Sequence, residues 1–302
     1  MKNIVLMDGG LGQEIYRRAG QPAHPLWSAK VMMEKPEIVR EVHRDFIRAG
    51  AKTITVNSYT ATPTRLERDG QIAWFEPLQK QALMLAHEAR EMSAQETEEV
   101  QIAGCLPPLI GSYATDDRSL DVLKDEYRQI LEIQAPAVDI LIIETISNIR
   151  EAIAATEVAL ETDSPVLLSF TLSDTQPQTL RSGESLEEAL SVVSEYPLQA
   201  LLFNCSFPET ISQGLEELKT MDIPYGGYAN GFASVETLKP GGTVDALSAR
   251  EDLDERAYTQ HALEWIEKGA TIVGGCCEVG PAYIDHLHRE LQHQAYQVTT
   301  MT

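Results

Sequence analysis

The sequence predicts an α/β protein of the (β/α)8 TIM-barrel class, and three observations predict it. Short runs rich in Ile, Val and Leu alternate with longer amphipathic segments from one end of the chain to the other. These runs do not alternate with polar residues, which is how parallel strands buried on both faces read. Finally, eight such runs are each followed by a helical pattern, the count of a closed barrel. An open doubly wound sheet is the alternative, but no GxGxxG follows the first strand.

Taken in order, the predicted strands are Ile4–Met7, Thr53–Val56, Val100–Ala103, Ile140–Ile143, Val166–Phe170, Ala200–Phe203, Pro224–Tyr228 and Thr271–Val273. The seventh contains PYGGY, and its glycines weaken it as a strand. The first helix, Pro36–Ala49, opens with proline in the first turn and closes at Gly50, with Ile38, Val42, Phe46 and Ile47 on one face. Further helical patterns cover Glu76–Met92, Leu120–Ala137, Ile149–Leu160, Leu186–Ser194, Glu209–Lys219, Glu255–Lys268 and Ala282–Gln292. No composition break marks a boundary, so residues 1–292 read as one barrel domain and 293–302 as a flexible tail. The longest irregular stretch, Asn230–Leu253, lies between the last two strands, and a loop of that length carries function or is mobile.

Composition narrows the function. The 302 residues include 24 Lys plus Arg against 46 Asp plus Glu, a formal charge of −22. Such a surface repels phosphate backbones and anionic lipid, which argues against nucleic-acid and membrane-surface partners. No apolar run approaches the length of a membrane helix, and MKNIVLMDGG reads as a first strand rather than a signal peptide. A cytoplasmic location follows as the expectation, with the four cysteines as reduced thiols free for metal or catalysis.

In a barrel the active site lies where the strands end. The residues directly after the apolar runs are Asp8-Gly9-Gly10, Asn57-Ser58-Tyr59, Gly104-Cys105, Glu144-Thr145, Asn204-Cys205, Asn230 and Gly274-Gly275-Cys276-Cys277. Strands six and eight have one neighbour between them, so Cys205, Cys276 and Cys277 can converge. Three thiolates at one rim suit Zn²⁺ with its fourth position open. Two other readings stand beside it: a closed four-cysteine site using Cys105, and cysteines that are simply small buried apolar residues. Asp8 and Glu144 would project into the mouth, where an amine could sit between them while the Gly9–Gly10 amides receive a carboxylate. Alternatively Asp8 caps a following helix, and Glu144 caps or pairs with an arginine. His43, His87, His261, His286 and His288 fall in predicted helices, and neither HExxH nor GxSxG occurs. Nucleophilic hydrolysis has no support.

With these residues in view, the chain resembles the zinc-dependent homocysteine S-methyltransferase family. The resemblance is carried, in order, by DGGLGQE, LWSA, RAGA-x-TITVNSYTAT, GCLPP, ETISN, FNCS and GGCCEVGP, spanning Asp8 to Leu287. It implies a (β/α)8 barrel with Cys205, Cys276 and Cys277 as zinc ligands, and with Asp8, Gly9, Asn57, Ser58 and Glu144 lining a homocysteine pocket. It also implies the reaction: the zinc-bound thiolate of homocysteine takes a methyl group from an onium donor, S-methylmethionine or S-adenosylmethionine, to give methionine. A thiol is a weak nucleophile while protonated, and a donor that starts positive leaves neutral. Trp27, Tyr59, Tyr113 and Tyr228 are candidate walls for such a cation. The sequence departs from the family pattern at Phe203, at YANGF after the seventh strand, and at GTVDALSARED, and these differences bear on the donor. A betaine-type donor, another small thiol acceptor, and a non-catalytic metal-binding barrel are the alternative readings. The oligomeric state is not readable from the sequence.

Overall fold

The computed structural model describes residues 2–95, 99–176 and 178–301. Its strands are β1 (Asn3–Leu6), β2 (Thr53–Thr55), β3 (Gln101–Leu106), β4 (Ile140–Ile146), β5 (Val166–Phe170), β6 (Ala200–Asn204), β7 (Tyr225–Tyr228), β8 (Ile272–Val273) and β9 (Gln297–Thr299). The helices are α1 (Leu11–Ala19), α2 (Trp27–Glu34), α3 (Pro36–Arg48), α4 (Pro63–Asp69), α5 (Phe75–Ser93), α6 (Leu120–Gln134), α7 (Ile149–Ala159), α8 (Leu186–Val193), α9 (Pro208–Leu218), α10 (Glu255–Glu267) and α11 (Pro281–His293). No helix among the described residues is long and apolar enough to cross a membrane.

All neighbouring strands are parallel, in the order β2-β3-β4-β5-β6-β7-β8-β1-β9. A bridge between Met7, just past β1, and Thr53 of β2 closes the circle, supported by Lys52 N donating to Leu6 O at 2.7 Å and Asp8 N to Thr53 O at 2.9 Å. The sheet therefore closes into a barrel, as the eight-unit pattern predicts. Its lumen is filled by Val5, Met7, Ala103, Ile140, Ile142, Leu167, Ala200, Leu202, Tyr228 and Ile272. A larger apolar layer packs the helices against the outside of the strands. Burial on both faces is why the strands read as unbroken apolar runs.

Several boundaries differ from the sequence expectation. β3 and β4 run on through Cys105 and Thr145, so Gly104, Cys105, Glu144 and Thr145 lie within strands rather than after them. Polar residues at a strand's open end mask its continuation from a hydrophobicity reading. Helices α1, α2 and α4 are additional. The signal for α4 is present in the sequence: the Thr62 side chain caps it by accepting from Arg65 N, and Pro63 occupies its first turn.

The segment after α11, expected as a flexible tail, is instead paired at least as far as Met301. β9 aligns Gln297, Val298 and Thr299 with Asn3, Ile4 and Val5. Beyond it, Met301 N donates to Gln101 Oε1 at 2.8 Å, Gln101 Nε2 returns a bond to Met301 O at 2.9 Å, and the Met301 side chain packs against the lumen core. Thr302 lies outside the described residues. Polar residues in QHQAYQVTT hide this strand from the sequence. Its role predicts that deleting residues 296–302 lowers the melting temperature by about 2–4 °C, because ladder bonds and the Met301 contact are lost together. A differential scanning calorimetry trace superimposable on that of the full chain would show that β9 adds no stability.

Candidate functional site

The strand ends surround a cavity holding about 1130 Å³ of atom-free space, counting the part open to solvent. Below it lies the apolar lumen core; around it stand the polar residues in which the strands end. Asp8, Gly9, Asn57 and Glu144 line it, as do Cys205, Cys276 and Cys277. Ser58 does not belong to this lining, and its hydroxyl accepts from Gln134 Nε2 at 3.1 Å.

The three thiols converge. The sulfurs of Cys205, Cys276 and Cys277 lie within 4.8 Å of one another, with Cys205 and Cys276 at 2.7 Å. Cys105 stands outside this cluster, fully buried, and its thiol donates to Glu144 Oε1 at 3.0 Å. A closed four-cysteine site is therefore not formed.

Local structure explains why the cluster forms. Cys205 directly follows β6 and adopts φ 53°, a left-handed conformation uncommon for a residue with a Cβ. It is held there from several sides. Cys205 N donates to Tyr228 O at 3.2 Å, and Arg181 Nη2 donates to Cys205 O at 3.2 Å. Asn204 clamps the neighbouring strand end: its Oδ1 accepts from Thr145 N at 2.9 Å and Ser169 Oγ at 2.8 Å, and its Nδ2 donates to Thr145 Oγ1 at 2.8 Å. Thr145 itself sits at φ 60°, so β4 and β6 both turn sharply at the rim and Asn204 fixes the two turns together.

The GGCC turn is tied with equal care. Gly275 N donates to Asp8 O at 2.9 Å, Cys276 N to Ala229 O at 2.9 Å, and Gly231 N to Cys277 O at 2.8 Å. Gly9 and Gly10 are needed because the turn presses on them. A Cβ on Gly10 would meet Cys276 O at 2.4 Å, and one on Gly9 would meet Val279 O at 2.1 Å. The amide of Gly10 is consumed in this contact, donating to Val279 O at 2.8 Å, so the carboxylate seat expected from both glycine amides loses that donor.

Electrostatics follow from the packing. Cys205 is held below the ordinary thiol range because Cys276 and Cys277, and then Tyr113, hydrogen-bond to its sulfur, Tyr113 Oη lying 3.1 Å away. Cys276 and Cys277 are pushed up, chiefly by their hydrogen bonds with Cys205. Burial raises Asp8 to about 8 and Glu144 to about 7. Asp8 caps no helix. Its Oδ2 accepts from Thr55 N at 2.8 Å, which partly offsets the burial, while the field of Glu144 adds to it. The cavity lining also includes Trp27, whose buried Nε1 has no hydrogen-bond partner among the described residues. Such groups are expensive to leave unmatched and point to a polar ligand.

Three thiols facing one cavity suit a thiophilic metal ion with a coordination position left over for an incoming ligand. One residue that the sequence reading missed and one loop that it singled out also meet here. Arg65 lines the wall, and the Asn230–Leu253 segment closes over it through Phe232, Leu238, Lys239 and Gly242. Arg65 could have been flagged only by recognising α4.

The sequence model of the homocysteine S-methyltransferase family matches residues 5–291. The homocysteine S-methyltransferase of Escherichia coli K12 is 32% identical over 304 residues, covering 94% of this chain and 94% of that protein. A selenocysteine Se-methyltransferase of Brassica oleracea is 28% identical over 311 residues, covering 95% of this chain and 88% of its own length. The crystal structure of the homocysteine methyltransferase MmuM from Escherichia coli in its metallated form superposes with a TM-score of 0.79 at 29% identity. It covers 95% of this chain and 96% of that one.

Two outcomes are expected from this geometry. Cys205→Ser and Cys277→Ala lose bound metal by elemental analysis while Cys105→Ala retains it; the reverse pattern would place the metal elsewhere. In the metal-free protein, carboxyls raised by burial favour the protonated fold. The contribution of Glu144 is therefore fully present below its unfolded value of 4.5 and fades as pH rises towards about 7. Glu144→Gln should flatten the fall in melting temperature between pH 5 and 8, and an unchanged slope would contradict the assignment.

Proposed function

The chain belongs to the homocysteine S-methyltransferase family, and from that premise we propose that it methylates the sulfur of homocysteine to give methionine, with zinc held by Cys205, Cys276 and Cys277. The single observation that carries this reading is the convergence of those three sulfurs at a cavity that also contains Asp8 and Glu144. The donor set fits zinc, since three thiolates from strand ends leave one tetrahedral position for a ligand. When bound, zinc acidifies a coordinated thiol so that it is a thiolate at neutral pH.

The chain's own residues supply the rest. Asp8 and Glu144 receive the amine of the amino acid, and their raised values are the cost of holding carboxyls there before that cation arrives. Asn57 belongs to the same wall, held rigid by Ser28 Oγ at 2.7 Å. Tyr113 Oη, 3.1 Å from Cys205 Sγ, stabilises the ligand thiolate and so tempers its hold on the metal. The cation–π stack of Arg181 on the Tyr113 ring, 4.8 Å to the centroid, keeps that hydroxyl aimed.

The methyl donor is an onium compound, S-methylmethionine or S-adenosylmethionine, lying against the aromatic wall of Trp27, Tyr59 and Tyr228. The sulfur of homocysteine attacks the methyl carbon as the carbon–onium bond breaks. The bond's electron pair stays with the departing atom, which leaves neutral, and the thiol proton has already gone to solvent. The buried, largely enclosed site excludes water from the competing reaction. The likeness to a selenocysteine Se-methyltransferase favours one second reading, an acceptor other than homocysteine whose chalcogen sits in the same place. On the principal reading, zinc-loaded protein forms methionine from homocysteine with at least one member of an onium panel. Glu144→Gln lowers kcat/KM by about 10²-fold, mostly through the KM for homocysteine. Absence of turnover with every donor would overturn the proposal.

A further inference from the structure

Building on the methyl-transfer reading, we propose that Arg65 is a donor-specificity residue: its guanidinium receives the carboxylate of the methyl donor. Arg65 lies in the first turns of α4, is 4% exposed, and lines the cavity. Its Nη2 donates to Pro108 O at 2.8 Å, while its buried Nε has no partner. Among the described residues no carboxylate lies within ion-pair distance of it.

The arginines around it are paired. Arg181, the comparably buried arginine at the same mouth, is paired with Asp174 at 2.6 Å. Arg68, one turn along α4, is held by Asp69 at 2.6 Å. Acids are in surplus in this chain, at 46 against 24 basic residues, so a missing counter-ion reflects placement rather than supply. The carboxylate whose field reaches Arg65 is Glu151, and it is engaged elsewhere, accepting from Leu109 N at 2.8 Å and Tyr127 Oη at 3.2 Å. A buried guanidinium held by one carbonyl and a ring face, but by no anion, is costly, and a ligand anion is what would relieve it.

The position of Arg65 says which ligand brings the anion. Its guanidinium carbon stands 5.0 Å from the centroid of the Tyr59 ring, and Tyr59 is in turn within electrostatic reach of Cys205 and Glu144. Tyr59 thus adjoins both Arg65 and the thiol and carboxyl end assigned to homocysteine. An onium group on this aromatic wall feels the positive charge of Arg65. A donor with no negative charge would be repelled there, whereas one with a carboxylate at that end pairs with the planar fork.

The test compares S-methylmethionine with its methyl ester as donors, using zinc-loaded wild type, Arg65→Gln and Arg65→Lys. Wild type should prefer the acid by about 30-fold in kcat/KM. Arg65→Gln should erase that preference through the KM for the acid, leaving the KM for homocysteine unchanged, and Arg65→Lys should keep part of it. An acid-to-ester ratio near one in wild type overturns the proposal without recourse to a variant, which covers the case in which Arg65→Gln fails to fold. It is overturned equally by a ratio that Arg65→Gln leaves intact, or by a rise in the KM for homocysteine instead. These results all require turnover; its absence with every donor would instead bring down the methyl-transfer reading on which this one rests.

Discussion

The site depends on how closely β8 approaches β7. Gly226 pairs in register with Ile272, and a Cβ on Gly226 would meet Ile272 O at 1.7 Å. No side chain fits between these strands, so the β8 backbone is drawn in against β7 and the GGCC turn is delivered beside β6. On the other side of β7, its register with β6 aligns Asn204 with Tyr228, whose carbonyl receives Cys205 N. Cys205 and the GGCC turn are thereby fixed by backbone pairing before any metal is involved. Thiols placed by a ladder of this kind are pre-organised, and little conformational freedom is lost when a ligand joins them.

The second layer of organisation is electrical. The sulfurs, Asp8 and Glu144 sit at the floor of the cavity, where burial disfavours their charged forms. Arginines occupy the flanks: Arg181 stacks on Tyr113 and Arg65 on Tyr59. Each of these aromatic rings thus carries a guanidinium on one face. In a chain carrying −22 overall, this local polarity is a property of the cavity and not of the surface around it. A zwitterion laid across such a cavity has a complementary partner at each end.

Much of this was legible from the residues alone. The strand-end rule picked out Asp8, Glu144, Cys205 and the CC pair, which line one cavity, because side-chain identity near the end of an apolar run is a local signal. Ser58 was misplaced by the same rule: the chain turns between Asn57 and Tyr59, and the side chain of Ser58 faces Gln134 rather than the cavity. Arg65 was invisible because it lies in a short helix recognisable only from Thr62 and Pro63. The tail was misread because a polar strand on an already closed barrel has no hydrophobic pattern to announce it.

By itself, then, the sequence determined the class of the fold, the direction of its strands and the chemical set at their ends. Those follow from periodicity and local backbone preference, which are written in consecutive residues. Only the tertiary structure decided which of the four cysteines meet, since Cys105 and Cys205 look alike in sequence but are turned to different neighbours, Glu144 in one case and Cys276 in the other. It also decided that Arg65 would be buried without an acid. Both outcomes depend on groups brought together by barrel closure from positions far apart in the chain, and no local pattern encodes that distance.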